Sequence, residues 1–315
     1  MPEGRPEFER AINILPTFIH ELAIYFPPIR TIVAKHVRDD PKLTPKSLKG
    51  SHLLEFIRSL PSHPEHTLAF VIDALDERGD AKTRLRLLEV LTNAAAQAPW
   101  LKIIITSRTE VDIQHFFDTL TQSSYLSYDL ATDRDADTDL QGFARNQFDW
   151  HLNAPWPEES DYNRVISRAD GLFIYVKTLV IALERYEDPE ESLHEALQDS
   201  AETGLESLYT LYYSILKSQI AHKRAEFQRM VGVLLTTSPY HALCDDTIAE
   251  LAGVKPSLVK KWVDALGSLL YRDETVNGGI RVRHLSVYDF FVSDRCDYQA
   301  TSETRTPCSI VVCIG

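Results

Sequence analysis

The sequence predicts a partial α/β sheet, followed by a region made only of helices and then by a helix–helix–hairpin module. Two short apolar runs, at residues 68–73 and 101–106, enclose one amphipathic stretch, which is the pattern of two buried strands joined by a helix. From residue 140 onward the apolar residues recur with helical spacing. Near the C-terminal end, Asn277-Gly278 separates two strand-like segments, and this dipeptide is typical of tight hairpins.

The first part of the chain is predicted to form helical hairpins. Residues Pro16 to Phe26 place apolar side chains on one face, and Pro16 suits the first turn of a helix. A second amphipathic stretch closes at Asp39-Asp40-Pro41, and a third runs from Leu48 to Leu60. We therefore expect helices to pack on the sheet that follows.

The two apolar runs and the helix between them predict a strand–helix–strand unit. Residues 68–73 form a continuous apolar run that ends in Asp73, as a strand buried on both faces does. The helix is predicted over Ala81 to Ala98, and Pro99 stops it before the second run. Because parallel strands end at the same edge of a sheet, we expect Asp73 to neighbour Ser107-Arg108.

A Thr- and Asp-rich linker near residues 132–138 separates this unit from the helical region. Helix, helix and hairpin then follow in the order of a winged helix. We predict a first domain with the strand–helix–strand unit at 1–130, a helical domain at 131–200, a winged-helix domain at 201–295 and an irregular tail at 296–315.

Composition narrows the classes of function. The formal charge is −13 at pH 7, which argues against a broad nucleic-acid surface and against an anionic-membrane surface, since neutralising phosphates needs a surplus of Lys and Arg. Four cysteines without a Cys-x-x-Cys pair form neither a disulfide framework nor a zinc pattern. No uninterrupted apolar stretch is long enough to span a bilayer. The sequence predicts a soluble, cytoplasmic protein.

Three carboxylates, those of Asp73, Asp76 and Glu77, follow the first predicted strand. Such a concentration of negative charge is costly unless a cation or hydrogen-bond donors compensate for it. The functional interpretation is a metal–nucleotide site. The alternative is a solvated acidic turn that leads into the helix at Ala81, where negative charge is favourable.

The segment Phe70-Val-Ile-Asp-Ala-Leu-Asp-Glu77 resembles the Walker B motif of NACHT NTPases. The resemblance implies that Asp73 holds Mg²⁺, while Asp76 and Glu77 orient or activate the attacking water. Ile103 to Arg108 resembles the sensor-one strand of the same family, which implies that Arg108 reports on the nucleotide γ-phosphate. The alternative for Arg108 is an ion pair with Asp76 or Glu77 across the strand ends.

Two further segments resemble the NACHT modules that follow. Asp170-Gly171 and the apolar residues after it resemble the first helical domain, where a Gly-x-Pro contacts the base in many relatives. Phe173 stands in place of that Pro, and a tight turn at Gly171 is the alternative. The segment around His284 resembles the end of the NACHT winged helix, which implies that His284 bonds the β-phosphate of bound ADP; a structural histidine is the alternative.

The resemblance covers about residues 8 to 295 and is to the fungal NACHT/STAND P-loop NTPase family, with a nephrocystin-like N-terminal NTPase region. No Gly-Lys pair occurs in the sequence, although a working P-loop needs one to hold phosphates. The expected fold is an α/β partial P-loop NTPase sheet followed by an all-α helical domain and a winged-helix domain. We interpret the chain as truncated, lacking the Walker A loop, and as no enzyme on its own.

ATP or ADP with Mg²⁺ is the family's cofactor set, and none is expected in this chain as written. The expected role is a regulatory or interaction module in self/non-self recognition, with protein partners such as full-length NACHT paralogues and no membrane. One alternative is an active ATP-binding NTPase whose P-loop lies in an upstream exon. Another is a winged-helix nucleic-acid binder that uses Lys255, Lys260 and Lys261, although the acidity of the chain opposes it.

Overall fold

The structure, a computed structural model, is mostly helical. It describes residues 14–39, 50–58, 67–77, 79–121, 124–130, 136–152, 157–198, 202–220, 223–237, 242–274 and 278–297. The chain forms two compact units, Met1–Ser127 and Tyr128–Gly315. Most of the predicted linker, Asn277 of the hairpin and the tail beyond Asp297 lie outside the described residues. The predicted domain boundaries at 130, 200 and 295 stay a prediction.

The first unit contains five α-helices and two strands among its described residues. In chain order they are α1 (Ile14–Tyr25), α2 (Pro27–Asp39), α3 (Gly50–Arg58), β1 (Leu68–Ile72), α4 (Ala81–Gln97), β2 (Leu101–Ile105) and α5 (Val111–Asp118), with a single 3-10 turn at Leu75–Glu77. The predicted helices and strands lie within a few residues of these bounds, whereas α5 was not predicted.

Strands β1 and β2 pair in parallel, with Leu68 opposite Leu101 and Ile72 opposite Ile105. The strand–helix–strand prediction is therefore confirmed. Helix α4 begins where the Asp80 side chain accepts a bond from the Thr83 N–H, which satisfies one of the free amides of the first turn. The last residues of the two strands, Ile72 and Ile105, pair with each other. The residues that follow each strand therefore lie side by side at one edge of the sheet.

One face of this two-stranded sheet carries the core of the unit. Phe70 stacks on Phe18 of α1, with ring centroids 3.9 Å apart, and further apolar side chains of the helices pack around them. On the opposite face Val71 and Ile104 lie directly opposite each other across the strands, and they are 58% and 51% exposed. Parallel sheets normally have both faces covered, so the described part of this unit leaves one apolar face open.

We expect this open face to drive self-association when the chain is expressed alone, because burying it removes apolar surface from water. Val71→Lys combined with Ile104→Glu keeps an opposite-charge pair across the strands while removing the apolar surface. This double variant should lower the sedimentation-derived mass at high concentration. Val111→Lys changes a residue that is 81% exposed at the start of α5 and should leave association unchanged. A wild-type chain that stays monomeric at all concentrations would contradict the expectation.

The second unit is helical apart from one hairpin. Its described elements are α6 (Ala136–Leu152), α7 (Glu159–Ala169), α8 (Phe173–Leu183), α9 (Pro189–Gln198), α10 (Gly204–Ile220), α11 (Arg224–Thr237), α12 (Asp245–Ala252), α13 (Pro256–Ala265), β3 (Leu270–Asp273), β4 (Gly279–Val282) and α14 (Leu285–Val292). Helices α9 and α14 were not predicted. None of the described helices of the chain is long and apolar enough to cross a membrane.

A single apolar cluster joins the elements of the second unit. Helix α8 is apolar on nearly all sides, and Tyr175, Val176 and Leu179 are among its buried residues, as expected for a helix packed against several others. Tyr212 of α10 is fully buried and meets Phe290 of α14, with ring centroids 5.5 Å apart. The hairpin and α14 therefore share one core with the preceding helices.

The hairpin follows two helices, in the predicted order. Strands β3 and β4 pair antiparallel, with Leu270 opposite Val282. Gly278 has a φ of 70° and donates its N–H to the Asp273 carbonyl at 3.0 Å, a backbone conformation that glycine adopts without strain. Chain order and pairing thus agree with the prediction, and the interpretation as a winged helix is taken up as a proposal below.

Candidate functional site

The acidic loop after β1 is fastened to the end of β2 by Thr106. The Thr106 hydroxyl donates to Oδ1 of Asp73 and accepts the N–H of Ala74 at 2.9 Å. The backbone of Thr106 also pairs with the loop on both sides, donating to the Ile72 carbonyl and accepting from Leu75 N–H, each at 2.9 Å. Ala74 has a φ of 52°, which is unfavourable for a residue with a Cβ. These bonds hold the loop in that conformation.

Asp76 faces inward and is compensated by the residues after β2. Its side chain is only 6% exposed. Oδ1 accepts the backbone N–H of Arg108 at 3.1 Å and the Ser107 hydroxyl at 3.4 Å. Nε of Arg108 lies 3.6 Å from Oδ2. The geometry of the structural alternative for Arg108, an ion pair with Asp76, is therefore present, and the predicted roles of both residues in nucleotide chemistry stay predictions.

An ion pair between Arg84 and Asp112, which the sequence analysis did not predict, supports the acidic loop. Arg84 of α4 donates to both carboxylate oxygens of Asp112 on α5, at 3.0 and 2.9 Å. Its Nη1 also donates to the carbonyl oxygens of Asp76 and Gly79, at 3.2 and 3.0 Å. The bonds from Arg84 lower the pKa of the Asp112 carboxyl, and those from Asp112 raise the pKa of Arg84. The two lie far apart along the chain, so only the packing of α5 could have revealed the pair.

The carboxylates of the loop do not converge on one point. Glu77 is exposed, Asp76 is engaged by Arg108, and one oxygen of Asp73 accepts the Thr106 hydroxyl. Within the described residues, no group of three or more His, Cys, Asp or Glu side chains is arranged to hold a metal ion. Mg²⁺ usually takes one or two carboxylates together with phosphates and water. Asp73 could supply one carboxylate ligand. Among the described residues, no further His, Cys, Asp or Glu side chains are grouped with it to form a metal site.

The bonds of Asp76 predict a difference in stability between two neighbouring carboxylates. Asp76→Ala removes a buried acceptor from the Arg108 N–H, while the Ser107 hydroxyl still donates to the Arg108 carbonyl at 2.9 Å, so we expect a loss of about 1–3 kcal/mol in the free energy of unfolding. Glu77→Ala, at an exposed side chain, should change it by less than about 0.5 kcal/mol. Urea denaturation of both variants measures this difference. Equal effects would show that the Asp76 bonds do not stabilise the loop.

Gly171 lies in the turn between α7 and α8. Its φ is 81°, and the preceding Asp170 has a φ of 46° and donates its N–H to the Ile166 carbonyl at 3.1 Å. Phe173 begins α8 and packs on Phe143, with ring centroids 5.2 Å apart. This geometry is that of a tight helix-to-helix turn, the alternative given to Gly171 above. The base contact that the resemblance implies stays a prediction.

His284 begins α14 and caps it. Its Nδ1 accepts the Ser286 backbone N–H at 3.2 Å and lies 2.7 Å from the Ser286 hydroxyl. That hydroxyl is 2.8 Å from the hydroxyl of Tyr212. Burial raises the pKa of Tyr212 to about 12, so the phenol is protonated at neutral pH and can donate. An accepting Nδ1 requires the proton of a neutral ring to be on Nε2.

The capping bond predicts a larger loss of stability for one substitution of His284 than for another. His284→Ala removes the acceptor for the first turn of α14 and should lower the free energy of unfolding by about 0.5–2 kcal/mol. His284→Asn supplies a side-chain oxygen that is well suited to the same position and should recover most of that loss. Thermal denaturation in nucleotide-free buffer measures both. An alanine variant as stable as the wild type would show that the cap contributes nothing.

At the ends of the parallel strands, the structure places Asp73 against Thr106 and Asp76 against Arg108. It places Gly171 and His284 in the second unit, each within a local hydrogen-bonded turn. The predicted approach of His284 to Asp73 in a shared nucleotide pocket stays a prediction.

Comparison with known proteins shows what the chain is similar to. A family model described as Nephrocystin 3, N-terminal, matches residues 3–108. The vegetative incompatibility protein HET-E-1 of Podospora anserina is 26% identical over 268 residues, which cover 80% of this chain and 19% of that protein. No solved structure matches.

These findings confirm the resemblance to a class of protein, the fungal NACHT-like proteins. In particular, the chain is similar to HET-E-1, and its first third is similar to the nephrocystin 3 N-terminal model. The chain spans about a fifth of the length of HET-E-1.

Proposed function

We propose that this chain is a NACHT-type signalling module that acts through interactions with other proteins and does not hydrolyse nucleotide on its own. In this proposal the first unit is a partial P-loop NTPase sheet, with a Walker B strand in β1 and a sensor strand in β2. Helices α12 and α13 with the β3–β4 hairpin form a winged helix. The relationship to HET-E-1 and the order of the elements support both assignments.

The main observation behind the proposal is that Arg108 already engages the Asp76 carboxylate. This carboxylate accepts from the backbone N–H of Arg108 and lies 3.6 Å from Nε of the same residue, so Arg108 compensates the charge of Asp76. A residue that activates water needs a free acceptor oxygen near the reacting atoms. The sequence as given contains no Gly-Lys pair, and without the amides and Lys of a P-loop the γ-phosphate has no anchor.

The open face of the β1–β2 sheet supports an interaction role. Val71 and Ile104 are large apolar side chains that water reaches freely in the described structure, and contiguous apolar surface marks sites of protein association. We propose that the partner is a protein, such as a full-length NACHT paralogue. By analogy with a relative named for vegetative incompatibility, we place the module in self/non-self recognition.

An ATP hydrolysis assay tests the catalytic half of the proposal. The full chain with Mg²⁺ and ATP should release phosphate no faster than its Glu77→Gln variant, because no described group anchors the γ-phosphate. Both proteins should be compared at equal concentration and at a temperature at which both are folded. Turnover that is lost on Glu77→Gln would contradict the proposal and favour the alternative, an active ATP-binding NTPase.

A further inference from the structure

Helix α5 is short and carries few buried side chains. Of its eight residues, all of which the structure describes, only Ile113 is buried. Phe116 and Phe117 are half-buried and pack against the apolar cluster of the first unit. Glu110, which precedes the helix, makes no side-chain capping bond in the described structure. A helix of this length without a cap is marginal by itself, so its position depends on the bonds that its first turn makes.

The first turn of α5 is bound by Arg84 of α4 through Asp112. The Arg84 side chain is 11% exposed and the Asp112 side chain 15%, so water screens this ion pair little. The pair uses Nε and Nη2 of Arg84. Nη1 donates instead to the Asp76 and Gly79 carbonyls of the acidic loop. Because the guanidinium is a rigid plane, one side chain holds α5 and the acidic loop in a fixed relation.

Asp76 is connected to the start of α5 by a second route, through its side chain. Its carboxylate accepts the Arg108 N–H, and the Arg108 carbonyl accepts the N–H of Glu110 at 2.9 Å. The Glu110 carbonyl accepts the N–H of Gln114 at 2.9 Å, within the first turn of α5. The two routes, one from the Asp76 carbonyl through Arg84 and one from its carboxylate through Arg108, form a closed ring of bonds. Members of such a network support one another.

We propose that this ring is a conformational device in which the acidic loop controls whether α5 stays packed on the first unit. While Arg84 and Arg108 both hold Asp76, the first turn of α5 is fixed. An interaction that withdraws Asp76 from these partners opens the ring, and α5 then separates and exposes its apolar side, centred on Ile113. Exposed apolar surface marks sites of protein association. The inference therefore rests on the proposed function and deepens it: the chain offers this surface to a protein partner only when its acidic loop is open.

Hydrogen exchange of the full chain, without nucleotide or partner, tests the coupling. Asp76→Ala removes the carboxylate and keeps the carbonyl that Arg84 contacts. It should speed exchange of the amides of residues 113–118 about tenfold or more, because the loss of a buried acceptor makes local opening easier. Arg84→Gln should speed exchange of these amides and also of the loop amides of Leu75 and Glu77. Unchanged exchange in α5 on Asp76→Ala would overturn the proposal.

Two control variants separate local opening of α5 from unfolding of the whole unit. Leu53 is fully buried in α3, so Leu53→Ala destabilises the unit through its core and should leave exchange in α5 unchanged while speeding it in α1. Arg86→Gln makes the substitution of Arg84→Gln at an exposed position of the same helix and should have no effect. If Leu53→Ala speeds exchange in α5 as much as Asp76→Ala does, α5 opens only with the unit and the proposal is wrong.

The double variant Asp76→Ala with Arg84→Gln measures the coupling itself. The two factors by which exchange in α5 rises should combine to less than their product, because both substitutions open the same ring. A full product would show that the two routes are independent and would overturn the proposal. If Arg84→Gln does not fold, Asp112→Asn, which removes only the charge of the pair, takes its place with the same expectation. No measurement here uses nucleotide, so a failure leaves the hydrolysis test of the proposed function unaffected.

Discussion

The in-register pairing of β1 with β2 decides where the residues of the acidic loop lie. Because Ile72 pairs with Ile105, Asp73 and Thr106 leave the sheet together, and the Thr106 hydroxyl reaches the carboxylate. The following residues repeat this relation, with Asp76 meeting Ser107 and Arg108. A shift of one residue in this register would turn the apolar side chains to the wrong face and separate all of these partners.

The second unit is held together by an apolar core of helices and not by strand pairing. Its core is a continuous cluster of helices around α8 and α10, and the polar groups near His284 form a chain that runs from the Tyr212 hydroxyl through Ser286 to the ring of His284. Such a network fixes the start of α14 against α10 because each member can satisfy the next.

Elements with strong periodicity were predictable from the sequence, and side-chain partners were not. The apolar runs 68–73 and 101–106 and the helix between them follow from hydrophobic pattern and Pro99, because these signals are local. Helix α5 carries few buried residues, Ile113 being one, so its pattern was weak. For the candidate site, parallel pairing predicted that Asp73 and Arg108 would be neighbours. Which carboxylate Arg108 meets, and the pairing of Arg84 with Asp112, depend on three-dimensional packing.

The left-handed backbone at Ala74 constrains which residues this position can hold. Its φ of 52° leaves little room for a β-branched side chain beside the following peptide, whereas Gly, Asn and Asp adopt this conformation at lower cost. Among related sequences the position between Asp73 and Leu75 should therefore vary within a narrow set of small residues and these polar ones. A Val or Ile there would mark a relative whose loop follows a different path from β1 to α4.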